Sequence, residues 1–291
     1  MIPVTYYCYW YQPEEEARKE FFKKLADAGI TRVVLSDGAI RDFIHNPDFM
    51  FRMKKELKEY GLQAMDAHAP WGSWRDPGMP LEEYHEALIH YQKLALFVLR
   101  EFEVTSLAYH TGNTMPGTFG PIPFAAYEKM LYRSIEELLP VAEKYDIVMA
   151  LENQWTPLNS SRILMKVLQH FNSPNLGFCY DSGHAHLTEY GKKDPSQSCV
   201  PTLWNAMEME VEWEEDWIGK FKDYVVTCHL HSNEGFKDSH LLPKKDDGMP
   251  WEHIMEVLAK APRLKYVQSE VNASPKELKE AFRALSPVLD A

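Results

Sequence analysis

Short apolar runs rich in β-branched and aromatic residues recur along the whole chain, and between them apolar side chains return every three or four positions. The runs are "VTYYCYWY", "TRVVLS", "LQAMDAHA", "SLAYHTG", "IVMALEN", "LGFCYDSG", "VVTCHLHS" and "LKYVQSEV", each bounded by turn residues. They predict eight strands. The intervening pattern is helical, as in "EEEARKEFFKKLADAG", which Gly29 closes, and in "AAYEKMLYRSIEELLPVAEKY". Strands alternating with helices imply parallel pairing, because a parallel connection has to cross back over the sheet. Eight such units in 291 residues predict an α/β fold, a (β/α)8 TIM barrel in one domain covering residues 1–291. An open doubly wound sheet fits less well, since it more often has fewer strands and a glycine-rich phosphate loop, and neither GxGxxG nor GxxxxGK with Ser or Thr occurs. The longest departure from the rhythm, residues 189–223, follows the sixth strand and carries a dense acidic, Trp-rich run. It is expected to be an insertion over the barrel mouth.

Composition narrows the function classes. A hydrophobic share of 45% is enough for a sizeable core. The balance of 31 basic against 43 acidic side chains, a formal charge of -12, repels phosphate backbones and anionic membranes, and no Lys/Arg run offsets it. Neither nucleic acid nor a membrane is therefore an expected partner. Cys8, Cys179, Cys199 and Cys228 are scattered with no CxxC pair, which suggests reduced thiols rather than a zinc knuckle or a disulfide framework. With no basic leader and no apolar stretch approaching the roughly 20 residues that span a bilayer, a cytoplasmic protein is expected.

In a barrel the C-terminal ends of the strands face one cavity, so unusual side chains there are catalytic candidates even when far apart in sequence. Nearly every run ends in one. The third has Asp66 and His68, the fourth His110, the fifth Glu152, the sixth Asp181 and His184, the seventh His229 and His231, and the eighth Glu270. Asp238 and His240 follow the seventh in "KDSHLL". Each alone reads as a hydrogen-bonded structural group or a rim charge. Together they predict a metal site, since several such groups in one cavity are costly unless a cation or mutual hydrogen bonds compensate. Trp10, Trp71, Trp74, Trp155 and Phe119 follow strand ends or lie in the loops after them, where an aromatic face can stack on a bound ligand.

The order "DAHAPWG", "ALEN", "YDSGHAHL", "CHLHSNEG" with "DSHLLP", then "SEVN" resembles the xylose isomerase-like barrel superfamily, over most of the chain. That superfamily includes sugar isomerases, ketose 3-epimerases, inosose dehydratases and type IV apurinic endonucleases. In its sugar-active members one divalent ion is held by Glu, Asp, His and Glu of the fifth to eighth strands, which implies Glu152, Asp181, His229 and Glu270 here. "HLHS" offers His229 and His231 on the same face, and Ser232 stands where an acidic residue usually follows. Endonuclease-type members bind further ions through histidines that match His68, His110 and His184 and through an Asp–His pair that matches Asp238 and His240. Three carboxylates and one imidazole are hard ligands suited to manganese, magnesium or cobalt, with manganese favoured, whereas a second ion on the extra histidines would look more like zinc.

Metal chelation of a carbonyl and its neighbouring hydroxyl acidifies the proton between them and stabilises the enediolate left when it departs. Glu152 and Glu270 are the expected acid–base pair. A sugar isomerase or epimerase is the leading expectation. Elimination on a keto-sugar or cyclitol, as dehydration or cleavage of a carbon glycoside, is the rival, and abasic-site nuclease action is disfavoured by the acidic surface. A homo-oligomer or a partner subunit docked on the acidic insertion would fit the same pattern.

Overall fold

The computed structural model describes residues 1–112 and 122–291. Its strands are β1 (Ile2–Thr5), β2 (Arg32–Leu35), β3 (Gln63–Ala67), β4 (Ser106–Tyr109), β5 (Val148–Glu152), β6 (Leu176–Asp181), β7 (Val225–His229), β8 (Tyr266–Gln268) and a short β9 (Leu289–Asp290). The α-helices are α1 (Glu15–Asp27), α2 (Asp37–His45), α3 (Pro47–Glu59), α4 (Glu82–Glu101), α5 (Phe124–Lys144), α6 (Ser161–Phe171), α7 (Ser182–Tyr190), α8 (Val200–Ala206), α9 (Trp217–Phe221), α10 (Trp251–Leu258) and α11 (Pro275–Leu285). Strands β2 to β8 fall within the predicted apolar runs, whereas β1 begins at Ile2 and overlaps the first run, residues 4–11, only at Val4 and Thr5. All their pairings are parallel.

Hydrogen bonding runs in the order β4-β5-β6-β7-β8-β1-β9, with β2-β3 as a separate pair. Two parallel bridges, Tyr6 with Val33 and His68 with Ala108, join that pair to β1 and β4 and close the ring. The result is a (β/α)8 barrel, with β9 added beside β1. Local chemistry sets the helix ends. Gly29 takes φ +67° just past α1, where a side chain would be strained. Ser36 and Asn46 cap α2 and α3, and Ser274 with Glu277 forms a capping box on α11, each worth about 1 kcal/mol. The apolar faces of the helices pack on the outside of the strands. No helix among the described residues is long and apolar enough to cross a membrane.

Three expectations are corrected. Asp66 is not at the mouth but buried inside the barrel, where it accepts hydrogen bonds from Ser106 Oγ (2.6 Å), Thr227 Oγ1, Gln268 Nε2 (3.2 Å) and the Ala67 N–H (2.9 Å). It knits β3, β4, β7 and β8 together as a satisfied structural acid. Trp10 is not available to stack on a ligand: it is fully buried, its indole N–H donates to Val34 O (2.8 Å), and its ring packs on Tyr11 and Phe43. Residues 189–223 lie over the mouth only in part. The first two finish α7, while the stretch around α8 lies against the loops after β5 and β7, through Trp204 Nε1 to Trp155 O (2.8 Å) and Cys199 N to Phe236 O (2.9 Å). The last part returns to the wall, where Trp217 and Phe221 stack on Phe178 of β6 because such large apolar rings gain most when buried.

Glu189, in the last turn of α7, accepts the Trp217 N–H (3.3 Å) beside Asp216 and Glu214, and burial pushes its carboxyl up to about 7. Between its ordinary 4.5 and 7 the folded chain holds a proton that the unfolded chain has lost, so stability falls as pH rises through that window. Glu189→Gln removes the penalty. It is expected to stabilise the protein by on the order of 1–3 kcal/mol at pH 8, and not at pH 4. Thermal melts at the two pH values check this, and equal gains at both would show that Glu189 ionises normally.

Candidate metal centre

Period-two alternation turns the last inward side chain of each strand onto the barrel axis. Glu152 ends β5, Asp181 ends β6, His229 ends β7, and Glu270 lies two residues past β8. One ligand atom from each lies within 4.8 Å of the other three. His229 Nδ1 is 2.8 Å from Glu270 Oε2 and 3.5 Å from both Glu152 Oε2 and Asp181 Oδ2. Of the two histidines in "HLHS", His229 is the one in this group.

Further imidazoles surround it. His68 and His110 place Nε2 at 3.4 and 3.3 Å from Glu152 Oε2, and 3.2 Å from each other. His184 Nδ1 is 3.1 Å from Glu152 Oε1. Asp238 Oδ2 lies 3.4 Å from His184 Nε2 and 3.1 Å from His240 Nε2, and these three with His231 make a second group of converging atoms. His68, His110 and Glu152 make a third. Glu152 is thus shared between the first group and the third.

Backbone carbonyls assign the tautomers. Nδ1 of His68 meets Ala69 O (2.9 Å), Nδ1 of His184 meets Asn153 O (3.0 Å), and Nδ1 of His240 meets Glu270 O (2.8 Å). A carbonyl only accepts, so each Nδ1 carries a proton, which leaves Nε2 as the nitrogen that meets the carboxylates and that a metal would take once its own proton is displaced. In all three rings that Nε2 faces a carboxylate of the cluster. This is how histidines are oriented when they ligate a metal.

Electrostatics point the same way. Burial alone would push the Glu152 and Asp181 carboxyls up, yet the neighbouring imidazoles hold both well below the usual carboxylate range. Burial also disfavours charged rings at His184 and His229, and the surrounding acids override it and raise both. His240, beside Asp238, rises to about 9. The carboxylates demand positive charge at the centre of the cluster. Among the described residues, both Glu152 oxygens and both His229 ring nitrogens are buried without an aligned hydrogen bond, although rings approach Glu152 at 3.1–3.5 Å. Orphaned buried groups of this kind fit a divalent cation that would coordinate them directly.

Among the expected stacking residues, Trp71 is 41% exposed with its ring 5.3 Å from His110, and half-buried Trp155 is 4.9 Å from His184. Trp74 packs against the core and Tyr91. Phe119 lies outside the described residues. Several contributors escaped the sequence reading. Asn153 clamps the backbone of Asp181, donating to its O (2.9 Å) and accepting from its N–H (2.8 Å), and Gln154 Nε2 is 3.1 Å from His110 Nε2. Both directly follow Glu152 at a strand end, and that adjacency was the only signal available.

Residues 22–288 match the family described as the xylose isomerase-like TIM barrel. The chain belongs to that family. Two curated proteins are similar in part: protein y4fM of Sinorhizobium fredii, 26% identical over 131 residues, and protein MJ1311 of Methanocaldococcus jannaschii, 25% identical over 161. These matches cover 44% and 53% of this chain, and less than half of either relative at 35% and 45%. Among solved structures, a D-tagatose 3-epimerase-like protein superposes with a TM-score of 0.70 at 16% identity, covering 98% of this chain and 97% of its own. The 3-keto-D-glucoside 4-epimerase YcjR of E. coli reaches 0.65 at 15% identity, with 98% of both chains covered. The IOLI protein with a bound zinc atom reaches 0.66 at 14%, covering 98% of this chain and 96% of that one. At such identities the likeness shows the shared fold.

Proposed function

We propose that this protein is a divalent-metal-dependent sugar isomerase or epimerase that abstracts a proton next to a carbonyl. The observation that carries this reading is the pair Glu152 and Glu270, from strands three apart, held in one four-ligand group with Asp181 and His229. A divalent ion bound there would supply the Lewis acidity that polarises a carbonyl and its neighbouring hydroxyl. Three carboxylates and one imidazole favour manganese, with magnesium and cobalt of the same hard class, while the imidazole-rich group around Asp238 suits zinc.

The chain's own side chains divide the remaining work. The Glu270 side chain is 16% exposed against 1% for Glu152, so it can exchange protons with the medium while Glu152 stays anchored among the rings. One carboxylate removes the proton and the other returns it. Return to the opposite face epimerises, and return to the neighbouring carbon isomerises. Trp71 and Trp155 offer ring faces beside the cluster for the apolar face of a sugar.

Two observations support an uncharged sugar. Among the described residues, every ion pair made by Glu152, Asp181, Asp238 or Glu270 is with a histidine, and residues 113–121 contain neither Lys nor Arg. A phosphate ester would want such a cation. The D-tagatose 3-epimerase-like protein and the 3-keto-D-glucoside 4-epimerase among the structural neighbours agree with a keto-sugar. The second and third ligand groups favour one other reading, hydrolysis of a phosphodiester by several ions, against which the net charge of -12 counts. Elimination shares the first proton abstraction and differs in the bond that breaks next.

Incubating metal-reconstituted protein with a panel of keto-sugars in deuterated water tests the reading. Deuterium is expected at the carbon beside the carbonyl, followed by NMR, and the product then separates epimer, isomer and eliminated species. Absence of exchange with every sugar, together with metal-dependent cleavage of an abasic duplex, would replace this reading with the nuclease one.

A further inference from the structure

His231 lies among the converging atoms of the second group, reaches Asp181 of the first, and is fully buried. Its Nε2 is 3.1 Å from Asp181 Oδ2, and its ring lies flat on that of His240, centroids 3.9 Å apart and planes inclined by 7°. Among the described residues its Nδ1 has no hydrogen-bond partner, so the proton is satisfied on Nε2, donated to Asp181. The backbone is held as tightly as the ring. The His231 N–H donates to Ser182 Oγ (3.0 Å), and that hydroxyl donates back to His231 O (2.7 Å). Opposite, Gly183 leaves the space the ring fills, since a Cβ there would meet His231 Cε1 at 2.0 Å.

The lone pair of an imidazole nitrogen lies in the ring plane, and two nearly parallel planes do not share a point between the rings. His231 and His240 therefore cannot both aim lone pairs at one ion. His240 aims its Nε2 at Asp238, as His184 does, while His231 aims its Nε2 at Asp181. His240 in turn donates through Nδ1 to the carbonyl of Glu270 and holds a left-handed backbone, φ +45°, which a non-glycine residue keeps only when its surroundings compel it.

Resting on the metal reading above, we propose that His231 is a positioning residue rather than a ligand: it fixes Asp181 from behind and is the flat seat on which His240 is held. Through this pair the orientation of Asp181 in the first group and of His240 in the second depends on one buried ring. The two groups are mechanically joined even though His231 touches no ion.

The test separates the two contacts. His231→Phe keeps a flat ring under His240 and removes the donor to Asp181, whereas His231→Gln keeps a polar end that reaches toward Asp181 and removes the ring. Cobalt(II) is titrated into the apo proteins, read by calorimetry and by the visible absorption of the bound ion, with thermal melts of each apo variant to confirm folding. His231→Phe is expected to bind as many ions per chain as wild type with an unshifted cobalt spectrum, but about 10- to 100-fold more weakly at its Asp181-containing site. His231→Gln is expected to recover part of that loss. Gly183→Ala, which displaces the ring without altering any donor, is expected to weaken the same site. A lost ion or a shifted spectrum in His231→Phe would show that His231 is a ligand and overturn the proposal, as would affinity equal to wild type. Wild type that binds no cobalt would instead sink the metal reading itself, and this proposal with it.

Discussion

Glu270→Gln is expected to lose about 10²- to 10⁴-fold in turnover, on the order of 3–5 kcal/mol of transition-state stabilisation, while retaining most of its bound metal. Gln preserves the shape and a carbonyl oxygen that can still approach the ion, but it cannot accept a proton at neutral pH. Glu270→Ala removes both and is expected to lose metal as well. Burial would raise the Glu270 carboxyl, yet His229 at 2.8 Å pulls it below its ordinary value, so it is ionised across the neutral range and ready to take a proton. Solvent deuterium exchange into the substrate is the direct readout. Exchange near the wild-type rate in metal-loaded Glu270→Gln would assign the base elsewhere, with Glu152 the next candidate.

Glu152→Ala is expected to strip the metal, with an affinity loss of at least about 100-fold. Glu152 is the acid common to the first and third ligand groups, so its removal takes the carboxylate from beside His68 and His110 and leaves His229 with Asp181 and Glu270 alone. Breaking a buried charge pair from one side costs about 3–5 kcal/mol, because the surviving partners remain desolvated. Elemental analysis of purified and reconstituted protein checks this: wild type is expected to hold at least one divalent ion per chain, and the variant far less. Wild type without metal after reconstitution would end the metalloenzyme reading, and a variant loaded like wild type would place the ion away from Glu152.

Much of the barrel was legible because its signals are local. Each strand is a short β-branched or aromatic run, each helix carries its own apolar stripe, and the end of each strand is marked by the residue that stops being apolar. The strand-end rule brought Glu152, Asp181, His229 and Glu270 to notice as individuals, and the tertiary structure gathers them into one group. It also brought forward Asp66, which differs from His68 only in lying one pleat deeper. Depth along the barrel axis depends on strand stagger, which no short run encodes. Trp10 misled for a related reason. An indole just past a strand looks like a rim residue until the Val34 carbonyl and the ring of Phe43 are found around it.

The sequence by itself determined the alternation of elements, the parallel pairing that follows from it and the inventory of carboxylates and imidazoles at the strand ends, because these depend on periods of two and 3.6 and on the chemistry of single residues. Only the tertiary structure decided that His229 rather than His231 joins the central acids, that residues 189–223 divide between mouth and wall, and that the His231 ring fills the space beside Gly183 while Ser182 bonds its backbone. His229 and His231 share a face of the chain, so period alone cannot separate them. What does is a contact across the barrel, between strands brought together by closure, and such contacts carry no signature within either segment alone.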